Sequence, residues 1–205
     1  VSVAVAWGLV TLGLLVVIVR RRYVAIGLVT AQAAALGVGA LSLAPGRSPE
    51  FLIAGGILLL RSLVLYALLV FTVRRTREPR PLRAPVAPLV RVTAVVVLTL
   101  VVLALMPPLG LGSRSAEQAS VALVIIGISI IVARRATVFH LLGFIVAENG
   151  LALAALSVAG GLPLLIELGV TVDLIILVTV AVAFHERIFG EFGTADTSLL
   201  RGLRD

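Results

Sequence analysis

The chain reads as a succession of apolar runs, each about as long as a bilayer is thick, separated by short polar or proline-rich stretches. Windows of about 20 apolar residues, the length a helix needs to cross the hydrocarbon core, fall at 1–19, 23–43, 51–73, 86–106, 118–133, 136–159 and 163–184. This pattern predicts seven transmembrane helices and an all-α, polytopic membrane protein. The fifth window is short. The fourth carries Arg91 in its first turns, from where a long side chain is expected to snorkel its head to the interface. The first window is followed by Arg20-Arg21-Arg22, the reverse of a secretory signal, and is read as a span.

The positive charges set the expected orientation. If seven spans alternate, 14 of the 17 arginines fall on one side, and only Arg47 and Arg114 reach the other. Cytoplasmic loops carry the excess of basic residues, so the N-terminus is expected outside and the C-terminus in the cytoplasm. A cysteine placed beside Arg80 should then stay unlabelled when an impermeant thiol reagent is added to intact cells; labelling from outside would invert the topology. The connection from Arg74 to Pro85 is basic and rich in proline, which favours an extended linker. It reads either as a stop-transfer cluster or as a contact for anionic lipid or a cytoplasmic partner.

Composition agrees with a membrane protein and removes several kinds of chemistry. A 60% hydrophobic content with only 13% charged residues lies far outside the range of soluble domains. Every basic residue is arginine, so a Schiff-base lysine is excluded. With no cysteine, the chain alone supplies neither thiolate zinc sites nor iron–sulfur ligands. No cofactor is expected, and redox centres, if any, belong to partners. The net charge of +7 comes from arginines clustered at helix ends, which membrane topology explains better than nucleic-acid binding.

The informative residues are the ionisable groups inside the windows. Ionisable side chains at that depth are costly, and their default reading is functional. Glu148 and Asp173 lie near the middle of the last two windows and at matching depth. They read as stations of a proton or cation path; the bland alternative is an interhelical hydrogen bond. Asn149 could share a proton or a water chain with Glu148. Arg61, midway through the third window, needs a counter-ion, and either acid could supply it. Glu167 lies about 9 Å nearer the outer face than Asp173 and is read at the rim or as an extension of the path. His140 and His185, at the cytoplasmic ends of the last two helices, are candidates for a proton-entry relay, for bonds to water or headgroups, or for haem ligation. Gly160-Gly161-Leu162-Pro163 is expected to form the outer turn between those helices.

Three parts are expected. Residues 1–75 form an N-terminal three-helix part, 76–116 the basic loop and fourth helix, and 117–205 a three-helix part with a cytoplasmic tail. The first part reads as a possible diverged repeat of the last: Gly27 and Gln32 are spaced like Gly143 and Glu148, and Arg61 falls near the position of Asp173.

Residues 117–205 resemble the K subunit of respiratory complex I (NADH-quinone oxidoreductase) and the related antiporter C subunits. The resemblance rests on four features: the paired Arg134-Arg135, the run from Leu141-Leu142-Gly143-Phe144 to Glu148-Asn149, the acid twelve residues before His185, and the Asp196-bearing tail. With its extra N-terminal helices and the ending Phe192-Gly193-Thr194-Ala195-Asp196-Thr197-Ser198-Leu199-Leu200-Arg201, the whole chain is similar to the E family of membrane subunits found in group 4 hydrogenases and formate hydrogenlyase-type complexes. The resemblance implies a non-catalytic subunit of a proton- or sodium-translocating membrane arm. Its neighbours would be antiporter-like subunits and a quinone or hydrogenase module, in the cell inner (plasma) membrane. It also implies that family glutamates carry over to Glu148 and Asp173, the second shortened by one methylene. The rival expectations are a stand-alone secondary transporter, which no helix broken at midplane supports, and a passive anchor, which would not need charges at mid-depth.

Overall fold

A computed structural model describes residues 2–42, 49–76, 87–110, 113–134 and 136–158, together with scattered positions between 171 and 190. Six helices cover most of these residues: α1 (Val3–Ile18), α2 (Arg22–Ser42), α3 (Pro49–Thr76), α4 (Pro88–Leu105), α5 (Arg114–Ala133) and α6 (Thr137–Ser157). Five of them, α2 to α6, are long and apolar enough to cross a membrane. The shorter α1, 16 residues, extends only about 24 Å at 1.5 Å per residue. The chain is an all-α, multi-pass membrane protein whose outward apolar side chains, such as Leu60, Leu100 and Val132, face lipid.

Each of the first six apolar windows is a helix, with boundaries set by local chemistry. Ser2 caps α1 by accepting a hydrogen bond from Val5 N at 3.4 Å. Pro88 opens α4, where its missing N–H removes no intrahelical bond. The fifth window, expected to be short, is a 20-residue helix that starts at Arg114. The polar residues at its start looked like loop because their charges are visible in sequence and their pairing is not. Arg114 Nη1 bonds Glu117 Oε2 at 2.9 Å across one turn, and the same carboxylate oxygen accepts from Leu109 N at 3.3 Å. A satisfied acid, 2% exposed, thus begins the span. The seventh window and the Gly160–Pro163 turn lie for the most part outside the described residues. Leu174, Val178 and Val182, described in the seventh window, are helical, spaced four apart and buried in the common core.

Short connections dictate the neighbours. Three residues separate α1 from α2, and three separate α5 from α6, so each pair is an antiparallel hairpin. Across the bundle α1 packs on α2, α4 and α5, while α2 packs on α3 and α6 and α4 on α5. The core therefore lies among α1, α2, α5 and α6, with Leu9, Ile26, Leu36, Leu123, Ile126, Leu142 and Ile145 nearly sealed from solvent. Helix α6 is the most buried span and α4 the least.

Glycine permits the closest crossing. A Cβ at Gly127 would lie 2.5 Å from Gly143 O, and one at Gly143 would lie 2.7 Å from Gly127 O, so α5 and α6 touch backbone to backbone. At Gly27, the position aligned with Gly143 in the supposed repeat, a Cβ would meet nothing within 4 Å. The two glycines are thus not equivalent in packing.

Candidate functional site

The middle of the bundle holds a polar cluster assembled from three helices. Each member replaces an apolar residue in its own span, and each is buried: Arg61 on α3, Gln32 on α2, and Glu148 and Asn149 on α6. Glu148 is eleven residues past the start of α6, or about 16 Å along its axis. That places the charge near the centre of the apolar layer.

The Arg61 guanidinium is ion-paired with Glu148, donating from Nη2 to Oε2. The same nitrogen lies 3.5 Å from Asn149 Oδ1. Asn149 Nδ2 in turn donates to Gln32 Oε1 at 2.9 Å, and Gln32 Nε2 donates to the carbonyl oxygen of Leu9 on α1 at 2.8 Å. The bonds run in one sense from Arg61 through two amides to a backbone carbonyl, and they join α3, α6, α2 and α1. Such a network fixes its members, because each amide spends both its donor and its acceptor on a neighbour. Glu148 Oε1 differs: it is buried and accepts no hydrogen bond among the described residues. It is the atom of the cluster at which a proton could be taken up or given away.

The structure brings together four of the sequence candidates, Glu148, Asn149, Arg61 and Gln32. Glu148, one of the two acids that could have served Arg61, is paired with it. Asp173 and Glu167 lie outside the described residues, as does His185. His140 stands apart from the cluster. Its Nε2 is 2.6 Å from Arg134 O, so it ties the first turns of α6 to the end of α5, two turns away from Glu148. The carbonyl of Leu9 escaped sequence reasoning because it belongs to a backbone, and no side-chain pattern marks it. Among the described residues, no group of three His, Asp or Glu side chains converges in a way that could hold a metal ion.

A second polar feature lies at the end of the bundle where α1 and α5 finish and α4 begins. Arg134 Nη2 donates to the carbonyls of Val17 at 3.0 Å and Val19 at 2.5 Å, closing the C-terminus of α1. Its guanidinium lies 4.2 Å from the centre of the Phe139 ring. Burial, then the positive charges of Arg91 and Arg20, push the Arg134 pKa down to about 10. Arg91 does not snorkel as its position suggested: it turns into the bundle and is 4% exposed. Glu117, just before the fifth window, and Arg91, within the fourth, are charges whose burial sequence reasoning missed. The i, i+3 spacing of Arg114 and Glu117 was the available signal for the first, and nothing in the sequence signalled the second.

Together the fold and this site define a class: a polytopic α-helical membrane protein with an arginine–carboxylate pair buried at mid-span. The chain is 34% identical over 211 aligned residues to the uncharacterized protein Rv0085 of Mycobacterium tuberculosis, a match that covers 98% of this chain and 94% of that protein. It belongs to the same family as that protein. No family model matches the chain. No solved structure matches it.

Proposed function

We propose that this chain is a non-catalytic membrane subunit of a multi-subunit, proton- or sodium-translocating redox complex of the group 4 hydrogenase or complex I-like kind, and that Glu148 is a station on its ion path. The observation that carries the reading is the buried Arg61–Glu148 pair, whose carboxylate keeps one oxygen without a hydrogen bond among the described residues. A pair kept only for packing would be served as well by apolar residues, since burying two charges costs several kcal/mol of desolvation each. An acid that must change its charge state cannot be replaced in that way. Arg61 steadies the ionised form, and Asn149 and Gln32 hold the pair in register. Partners of this subunit are antiporter-like and quinone- or hydrogenase-module subunits, and its site is the cell inner (plasma) membrane.

The test is Glu148→Gln, which keeps size and hydrogen-bonding capacity but cannot exchange a proton. Ion uptake into membrane vesicles, driven by the partner complex, should fall by about tenfold or more, as for loss of an acid–base group. The abundance of the complex should hold. Asp173→Asn should behave similarly, and the double variant should be no worse than the weaker single one if both groups serve one path. Wild-type pumping in Glu148→Gln would end the relay reading, whereas loss of the whole complex would favour a structural bond.

A further inference from the structure

Between α4 and α5, at the end of the bundle that carries Arg20, Arg91 and Arg134, runs a cleft of about 340 Å³ lined by Val90, Arg91, Ala94, Leu98, Ile128 and Val132 among others. Its walls are apolar apart from Arg91 and Ser129, and both helices present apolar side chains outward beside it. Arg91 is more than nine-tenths buried, and none of its three guanidinium nitrogens has a hydrogen-bond partner among the described residues. Among those residues, no carboxylate pairs with Arg20, Arg91 or Arg134. A buried guanidinium with five donors and no acceptor is costly unless an anion meets it.

We propose that this cleft binds an anionic phospholipid, with Arg91 taking the phosphodiester head and the wall formed by Ala94, Leu98, Ile128 and Val132 taking an acyl chain. Charge selects the head. Three arginines at one end of the bundle repel one another and gain from a shared anion, and a guanidinium matches a phosphate with paired N–H donors. The apolar wall selects a lipid over a free anion, because inorganic phosphate would leave that wall uncovered. The site lies where a headgroup would lie: Arg91 is in the first turn of α4, beside the last turn of α5. This inference is independent of whether the chain moves ions.

The test uses the purified full chain in a mild non-ionic detergent. Dioctanoyl phosphatidylglycerol, dioctanoyl phosphatidylcholine and inorganic phosphate are titrated separately, and binding is read by calorimetry and by the shift in unfolding temperature. The wild-type chain should bind phosphatidylglycerol at least about tenfold more tightly than either other probe. Arg91→Gln should erase that preference, and Arg80→Gln, in the linker, should keep it. Ala94→Leu, a substitution at an exposed wall position, should weaken phosphatidylglycerol binding with the arginines intact. Equal binding of phosphatidylcholine would overturn the proposal, as would equal binding of inorganic phosphate, which would make this a site for free anions. An Arg91→Gln protein that keeps the preference would overturn it too. Should Arg91→Gln fail to fold, the probe comparison on the wild type and Ala94→Leu decide.

Discussion

Replacing Arg61 by leucine should destabilise the folded bundle by about 3–5 kcal/mol, the usual cost of removing one partner of a buried ion pair. The side chains of Arg61 and Glu148 are 2% and 11% exposed, so solvent does little to screen the charge left behind. A loss of that size is a large share of the roughly 5–15 kcal/mol that holds an ordinary domain together. Unfolding of the purified protein in detergent, followed by its helical signal, should show the midpoint falling sharply. Removing both charges, as Arg61→Leu with Glu148→Leu, should recover much of the loss, because Glu148 is no longer left as a buried ion without Arg61. Glu148→Gln should cost less than Arg61→Leu, since the amide oxygen still accepts from the guanidinium. If the single Arg61→Leu protein unfolds like the wild type, the pair does not hold the helices together.

Gly127→Val should be comparably damaging for a steric reason. Even the first carbon of any side chain at Gly127 would press on Gly143 O at 2.5 Å and Ala147 N at 2.6 Å. These are backbone atoms of α6, so no rotamer change relieves the contact and the two helices must separate. Overpacking in a close-fitted interior typically costs about 1–3 kcal/mol, and a backbone clash belongs at or above the upper end. Gly27→Ala is the control, with open space around the added carbon. It should stabilise α2 by about 0.5–1 kcal/mol through the better helix propensity of alanine. Opposite signs in the unfolding midpoints of Gly127→Ala and Gly27→Ala would confirm the crossing, and equal shifts would refute it.

The contrast between these glycines shows where sequence reading stops. Both sit in apolar helices at positions that look alike, and only the approach of α5 to α6 makes one of them obligatory. Arg61 and Glu148 were legible because a charge in an apolar run is conspicuous and has to be answered by another. That Glu148 meets Arg61 was not legible, since it depends on how α3 and α6 are placed. Gln32 stood out as an amide in a span, but its bonds to Asn149 and to Leu9 O required the helix arrangement. The start of α5 was misplaced because hydropathy counts Glu117 as polar whether or not it is paired. Arg91 was misread for the converse reason: a cation near a helix end is expected to reach water, and here it turns inward between its neighbours.

The pair of charges also imposes an order on biosynthesis. Arg61 and Glu148 are 87 residues apart in the chain, so at about 5–20 residues per second the ribosome needs about 4–17 s to deliver the second after the first. During that interval α3 has left the ribosome before Glu148 exists, and an arginine at the centre of a helix costs about 2.5–3.5 kcal/mol to insert. The leucines, valines and phenylalanines around it have to carry α3 into the bilayer unaided. Helix α6 then arrives beside an arginine already in place, and its acid has a destination before it enters. A ribosome stalled after α5 would therefore leave a membrane intermediate in which Arg61 lacks the carboxylate that Glu148 supplies.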